Sequence, residues 1–261
     1  MKRTLLSLIF GVVIMALAAS AAHAEAKDTL ISVTGEYWMP TVDAKVRSSD
    51  LSVVGTDINF IDDLGLDDSE TVPSLRGSLD LPILPEILFS YFKVDSDATK
   101  TLTQAVTYDG VTYNISDVVT SSYKIEHYEA LMALNLINTD SAKFGLLIGA
   151  KYFKVDTSLS SVAAGSRSDS IDGPVPVIGA MLGLGTEKVR LELLGRGLSV
   201  SAGDVDASLF DLQADLNYDF NRFFRVGAGY RYFAINAEDS STDDKADIKF
   251  AGPYVSITGS F

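Results

Sequence analysis

The feature that most constrains this chain is a strict alternation of apolar and polar residues over positions 207–220, ASLFDLQADLNYDF. Leu212, Ala214 and Leu216 alternate there with Gln213 and Asp215. Residues two apart share one face of a β-strand, whereas the same spacing scatters polar side chains all round a helix. The segment therefore predicts a strand with one apolar and one polar face.

The same alternation recurs along the chain. A short turn at 219–222 leads into a second alternating run, Phe224 to Tyr232, which predicts a β-hairpin. Eight comparable runs bring the predicted number of strands to ten, and they lie at 29–39, 72–82, 86–97, 122–137, 143–156, 174–185, 187–200 and 246–261. Because residues 51–61 also read as extended and weak strands could merge, eight or twelve strands are the alternatives.

The connections between these runs alternate in length. Short periplasmic turns opposite long external loops are typical of outer-membrane barrels, whose tilted strands need about 9 to 11 residues to cross. We therefore expect an all-β fold: a closed, antiparallel, up-and-down transmembrane β-barrel. The tight connections are 82–85, 138–142, 185–186 and 219–222, and the long polar ones are 40–71, 98–121, 157–173 and 238–245.

The N-terminus predicts export. Lys2 and Arg3 precede an uncharged apolar run from Leu5 to about Ala22, and small residues flank His23. This pattern indicates a signal peptide, residues 1–24, and one barrel domain, residues 25–261, in the outer membrane of a Gram-negative bacterium. A retained anchor is the alternative, but the run is shorter than the roughly 20 residues of a membrane helix and no basic residues follow it directly.

Charge and composition exclude several functions. Removing the signal peptide takes two basic residues with it, so the formal charge of −14 becomes −16. A surface this acidic argues against nucleic acid as a partner. The sequence contains no cysteine, which excludes disulfides and thiolate metal sites. We expect neither a cofactor nor a bound metal.

The strands of soluble β-barrels also alternate apolar and polar residues, so alternation alone does not distinguish them from membrane barrels. The charged residues on the polar face do distinguish them. Six acids and six bases would be prohibitive in an apolar core, whereas the lumen of a membrane barrel can hold them as matched pairs. The predicted lumen charge network comprises Glu36, Arg76, Asp80, Glu129, Lys151, Arg190, Glu192, Arg196, Asp211, Asp215, Arg225 and Arg231.

The last segment, FAGPYVSITGSF, places Val255, Ile257 and Phe261 on one face and ends in an aromatic residue. It resembles the terminal strand that outer-membrane barrels present to their assembly machinery. The resemblance implies that machinery as a partner during biogenesis, together with outer-membrane lipid and lipopolysaccharide.

Four blocks carry a wider resemblance: the signal peptide and residues 53–74, 78–92 and 173–180. With the terminal strand, they resemble a family of small proteobacterial outer-membrane β-barrel proteins, most of them without an assigned activity. The resemblance implies the fold and the location, and it transfers no functional residue.

Three candidate sites have simpler explanations. His127, with Glu126, Glu129, Ser121 and Ser122 nearby, suggests a barrel hydrolase, but no nucleophile motif accompanies it and a hydrogen-bonded lumen histidine is favoured. The Gly-x-Gly pairs at 183–185, 195–197 and 227–229 lie inside strands, without the helix that nucleotide sites need. An acidic run offers oxygen ligands for calcium, although a solvated turn is favoured: Asp62, Asp63, Asp67, Asp68 and Glu70.

Three functions therefore stand after the sequence alone. The first is a structural or interaction barrel with a charge-filled lumen and acidic external loops. The second is a narrow channel for small solutes, and the third is a lipid A-modifying or proteolytic enzyme that uses His127. About ten strands leave a lumen that side chains can largely fill, which favours the first.

Overall fold

The structure is a computed structural model that describes residues 30–49, 54–80 and 84–261. In these ranges, ten strands form the barrel wall and four shorter strands accompany them. The wall strands are β1 (Ile31–Trp38), β4 (Val72–Leu79), β5 (Glu86–Thr101), β8 (Val118–Asn138), β9 (Ala142–Ser161), β10 (Gly165–Gly185), β11 (Val189–Ala202), β12 (Val205–Asn221), β13 (Phe224–Asp239) and β14 (Asp244–Ser260). The shorter ones are β2 (Thr41–Arg47), β3 (Ile58–Asn59), β6 (Val106–Tyr108) and β7 (Val111–Tyr113).

The wall is a closed antiparallel sheet. Its strands pair in the order β1-β4-β5-β8-β9-β10-β11-β12-β13-β14, and β1 pairs again with β14. This last pairing aligns Ser32 with Ser260 and Trp38 with Tyr254. The prediction of a closed ten-stranded barrel is confirmed. The predicted signal peptide lies outside the described residues, as does part of the predicted turn at 82–85.

The two ends of the barrel differ. At the lower end, the tight turns 139–141, 186–188 and 222–223 join neighbouring strands. At the upper end, residues 102–117 form a longer connection that contains the β6–β7 hairpin. No helix in the described part of the chain is long and apolar enough to cross a membrane.

Two of the predicted long loops are wrong. Most of 157–173 and 238–245 belongs to strands, which are joined by the short turns 162–164 and 240–243. Gly165 and Asp243 adopt the left-handed conformation next to these turns, with φ of +81° and +63°. Above the apolar belt both faces of a strand are polar, so the apolar alternation stops although the hydrogen-bonded ladder continues.

The β2 strand extends the wall above β1. Both strands pair with β14, and the break between them falls at Met39 and Pro40. Proline cannot donate to the ladder, which explains the interruption. Gly252 of β14 lies opposite the break, where a Cβ would stand 2.2 Å from the carbonyl oxygen of Met39. A residue without a side chain is therefore required there.

Alternation sorts the side chains of the wall as the sequence predicts. On β12, Asp211, Gln213 and Asp215 are buried inside the barrel, whereas Phe210 and Leu216 are exposed on its outer face. Outward aromatic residues form two girdles, the arrangement seen at the two interfaces of membrane barrels. The lower girdle contains Tyr218, Phe220, Phe223 and Phe224, and the upper girdle contains Tyr37, Tyr91, Tyr128, Tyr152 and Tyr230.

Candidate functional site

Eight inward charged side chains meet across the barrel in what we call the charge layer. Seven of them are buried and Arg76 is partly buried. Glu36, Glu129, Lys151 and Arg231 are each the chain neighbour of an upper-girdle tyrosine. The layer therefore lies level with that girdle. Its members are Glu36, Arg76, Glu129, Lys151, Arg196, Asp211, Asp215 and Arg231.

Asp211 is the centre of one half of the charge layer. Arg231 donates two hydrogen bonds to its carboxylate, at 3.0 and 2.8 Å, and Lys151 donates a third at 2.7 Å. The Nη2 atom of Arg196 lies 3.0 Å from the same carboxylate. Glu129 contacts Lys151 and accepts a 2.9 Å bond from Arg196. Strand register creates these pairs, because Arg196 stands opposite Asp211 and Glu129 opposite Lys151.

Arg76 is the centre of the other half. It contacts Glu36 and lies 2.7 Å from Asp215. Gln213 donates a 3.2 Å bond to Glu36 and accepts a 3.5 Å bond from Arg196, so it links the two halves. The charge layer is thus one connected network whose members come from seven of the ten wall strands.

The charge layer carries no net charge, because its four carboxylates match its four cations. Desolvating ions is costly, and the cost is offset only where partners are close and well hydrogen-bonded. The matched count and the multiple contacts of Asp211 meet that condition. Losing one member would leave its partners buried and uncompensated.

An aromatic layer covers the charge layer from above. It arises from the next inward position on each strand, so Trp38, Phe153 and Phe233 stand two residues after Glu36, Lys151 and Arg231. The guanidinium of Arg231 lies 5.2 Å from the Trp38 ring and 5.0 Å from the Phe92 ring, within the range of a cation–π contact. The six rings of the layer are Trp38, Phe92, His127, Phe153, Phe233 and Phe250.

His127 is part of this aromatic layer. It is fully buried and its ring stacks on Phe92 at 4.4 Å, while its Nε2 atom lies 3.3 Å from the Nζ of Lys151. Its Nδ1 atom has no hydrogen-bond partner among the described residues. Ser121 lies six residues along the same strand, about 20 Å away. Ser122 faces outward, where it bonds to Ser158.

The upper mouth of the barrel is closed by two further pieces of chain. Residues 54–71 insert Ile58, Phe60 and Leu64 into the core. The β6–β7 hairpin adds Tyr108, whose hydroxyl lies 2.6 Å from that of Thr157, and Tyr113, which donates to the Leu159 carbonyl at 2.9 Å. Burial raises the pKa of Tyr108. We call these two pieces together the upper plug.

The acidic run lies in the upper plug and is engaged in local hydrogen bonds. Asp63 accepts bonds from the Asn59 amide and from Gln104, and Asp62 accepts one from the Asn59 side chain. The described residues contain no group of three or more acidic, histidine or cysteine residues that could hold a metal.

The other four predicted network residues lie lower, around a cavity of about 610 Å³ that reaches the lower rim. Arg225 bonds to Asp219 at 2.6 Å and lies 3.6 Å from Glu192. Arg190 reaches the carbonyl of Asp140, and Asp80 lines the same cavity. Among the described residues, Arg190, Glu192 and Arg225 form no ion pair with a member of the charge layer.

Sequence reasoning missed the aromatic layer and the neutral members of the network. Ser74 bonds to Glu36 at 2.8 Å and Ser90 to Glu129 at 3.2 Å. A usable signal was present for the rings, because an inward charge followed two residues later by an inward aromatic recurs on β1, β9 and β13. No comparable signal marks Ser74 or Gln213, since inward polar residues are common in barrels.

The predicted assembly signal lies at the closure of the barrel. Val255 and Ile257 face outward and are more than half exposed, while Phe261 is at the lower rim. Its backbone bonds to Ile31 of the first wall strand in both directions.

Comparison with solved structures agrees with this architecture. The outer membrane protease OmpT from Escherichia coli superposes with a TM-score of 0.55 at 10% identity, covering 92% of this chain and 100% of that one. The chain has the fold of an outer-membrane β-barrel. The translocator domain of autotransporter NalP from Neisseria meningitidis gives a TM-score of 0.44 at 12% identity, covering 100% and 98%. Ail from Yersinia pestis gives 0.36 at 12%, covering 87% and 99%.

No protein-family model and no curated protein matches the sequence. At 10% identity the likeness to OmpT supports the fold alone. The narrower resemblance to a family of small proteobacterial barrels stays a prediction.

Proposed function

We propose that the protein is a plugged, non-conducting barrel of the Gram-negative outer membrane with a structural or interaction role. The lower end faces the periplasm and the upper end faces the exterior. Lipid and lipopolysaccharide surround the wall, and the barrel assembly machinery inserts it. The observation that carries the proposal is the charge layer, which crosses the whole lumen.

Three consecutive barriers support a closed lumen. Ions entering the lower cavity meet the charge layer, whose charged side chains are already paired with one another. Above it, the aromatic layer presents apolar rings, and the upper plug fills the mouth. A path for solutes would have to break buried ion pairs, which is costly.

The proposal assigns no catalytic role to His127. Its neighbours are rings and the Lys151 ammonium, while Glu129 is engaged by Lys151, Arg196 and Ser90. Within the described part of the chain, the imidazole has no hydrogen bond to an orienting carboxylate or to a hydroxyl that it could activate.

Thiol labelling tests the closed lumen directly, because the chain contains no cysteine. Single cysteines would replace Ser260, which lines the lower cavity, and Val200, which faces inward near the upper rim. After insertion into vesicles in one orientation, a membrane-impermeant maleimide is added from either side. We expect Ser260→Cys to react only from the lower side and Val200→Cys only from the upper side.

The matched control is Ala228→Cys on the outer face between the girdles, which lipid should shield from both sides. Steady single-channel conductance of the inserted protein, or reaction of Ser260→Cys from both sides, would replace the plugged barrel by the narrow channel. Reaction of Ala228→Cys would contradict the membrane location itself.

A further inference from the structure

A groove of about 560 Å³ crosses β2, β14, β13, β12 and β11 near the upper end of the barrel. Its lining contains two rows of side chains from alternate strand positions. The row nearer the girdle contains Lys45, Asp247, Asn236, Ser208 and Ser199, which stand side by side in register.

The second row stands two residues further up. It contains Arg47, Lys245, Glu238, Asp206 and Ser201, again in register across the same strands. Along each strand, the residues of both rows are an odd number of positions away from a buried, inward residue and therefore point to the other face. These buried residues are Val42, Phe250, Phe233 and Leu209. The side walls of the groove therefore face outward, and the groove lies on the outer surface of the barrel.

The groove is chemically polarised. Its β2–β14 end carries the three cations Lys45, Arg47 and Lys245 beside Asp57 and Asp247, and its β11–β12 end carries the serines. Arg47 is already engaged by Asp57 at 2.6 Å and by Asp243 at 3.1 Å. Lys45 has no ion-pair partner among the described residues. Lys245 pairs with Glu238 at 2.8 Å but stays 41% exposed, so its ammonium still has donors to offer.

The opposite side of the barrel differs at the same height. The row six residues above Tyr91, Tyr128 and Tyr152 contains Asp97, Ser122, Ser158 and Ser168 and has no cation. Asn236 likewise stands six residues above Tyr230. Cations at this level are thus concentrated on the groove side.

The height of the groove limits what can reach it. Asn236 stands four residues above the outward Tyr232, which corresponds to about 10 Å along the barrel axis for a strand tilted near 40°. The headgroup region of a bilayer leaflet is only about 5–7 Å thick. A phospholipid headgroup ends below the groove, whereas a glycolipid with several sugars extends to it.

We propose that this groove binds the phosphorylated glycan headgroup of an outer-leaflet glycolipid. Phosphates contact Lys45 and Lys245, and sugar hydroxyls contact the serines, Asn236 and Asp206. The inference rests on the proposed membrane location and names the site at which lipopolysaccharide docks.

The test places an environment-sensitive fluorophore on a single cysteine at Ser208, inside the groove. The protein is inserted into phosphatidylcholine vesicles that contain increasing amounts of lipopolysaccharide with a phosphorylated core. The emission of the Ser208→Cys probe should change saturably. The same probe at Ser158, at equal height on the opposite side, should change far less.

Charge variants give the second readout. Replacing Lys45 and Lys245 with glutamine should raise the half-saturating lipopolysaccharide concentration about thirtyfold, since each lysine near an anionic surface contributes a roughly fivefold attraction. Replacing Lys93 and Lys124, two outward lysines on the opposite side, removes the same charge and should leave the Ser208 response unchanged.

Several outcomes would overturn the groove proposal. They are equal responses at Ser208 and Ser158, a full response to lipid A without core sugars, and a response that survives removal of the phosphates. The Ala228→Cys control separates the two proposals. If the maleimide does not label Ala228→Cys and the Ser208→Cys probe shows no emission change, only the groove proposal is overturned. If the maleimide labels Ala228→Cys, the membrane location is overturned.

Discussion

The two faces of the β8–β9 wall carry the same kind of ion pair in different surroundings. Inside, Lys151 and Glu129 have side-chain exposures of 0% and 3%, and they join a network that crosses the lumen. Outside, Lys124 and Glu126, five and three residues before Glu129 on β8, have exposures of 33% and 19%. Both are Lys–Glu pairs, but the inner pair joins neighbouring strands inside the barrel, whereas the outer pair lies along one strand and is far less buried.

Burial changes the energetic consequence of losing a partner. An exposed pair exchanges its partner for water at little cost, whereas a buried pair leaves an uncompensated charge. The charge layer should therefore dominate the stability of the barrel. The outer pairs should matter for what the surface binds.

The largest expected effect is that of Asp211→Asn, which keeps the shape and removes the carboxylate charge. Lys151 and Arg196 then share Glu129, while Arg231 loses the carboxylate that it pairs with among the described residues. We expect a loss of about 3–5 kcal/mol in the free energy of unfolding. Urea titration followed by the fluorescence of Trp38, the single tryptophan, measures it.

The double variant Asp211→Asn with Lys151→Met is the control for this prediction. It restores neutrality and should recover part of the loss. If Asp211→Asn lowers the free energy of unfolding by less than about 1 kcal/mol, the charge layer is hydrated. The inner ion pairs would then stabilise the barrel no more than the outer pairs do.

The next largest effect concerns the aromatic layer, which covers the charge layer from above. Phe233→Leu removes a ring that contacts Phe92 and Phe250 and lies 5.8 Å from the Arg231 guanidinium. We expect a loss of about 1–3 kcal/mol in the free energy of unfolding, measured in the same titration. Phe224→Leu in the lower girdle is the matched control. Equal losses for both variants would mean that the aromatic layer has no special role.

Lys124→Gln breaks the exposed pair on the outer face. Water and neighbouring charges compensate Glu126, so the urea midpoint should stay within experimental error. A loss comparable to that of Lys151→Gln would show that burial does not separate the two faces.

The smallest effect is a pH dependence in the upper plug. Hydrogen bonds from Arg47 hold the pKa of Asp57 below its ordinary value. A depressed folded-state pKa adds stability above the unfolded pKa, and this stability is lost as the pH falls through the folded pKa. Pepsin cleavage of residues 54–71 should therefore accelerate with acid.

Asp57→Asn is the control for the pH prediction. Pepsin should cleave this variant faster than the unmodified protein at mildly acidic pH, and the cleavage rate should lose the additional dependence on acid that Asp57 contributes. An unchanged pH profile in this variant would assign the acceleration to other carboxylates.

Much of the fold was predictable because a membrane barrel requires opposite chemistry on its two faces. The alternation of Phe210, Leu212 and Leu216 with Asp211, Gln213 and Asp215 predicted strand, face and burial together. Where both faces are polar, as at 157–173, that signal vanished and strands were predicted as loops. The hydrogen-bonded ladder persists there without any hydrophobic pattern.

The sequence by itself determined the strand segments within the apolar belt, their inward faces and the presence of charges in the lumen, because each depends only on neighbours along the chain. Tertiary structure decided that Asp211 meets Arg196, Arg231 and Lys151, that Arg190 and Arg225 stay apart from them, and that Lys45 and Lys245 share a groove. Those contacts depend on strand register and on the closure of β1 against β14, which bring together residues far apart along the chain.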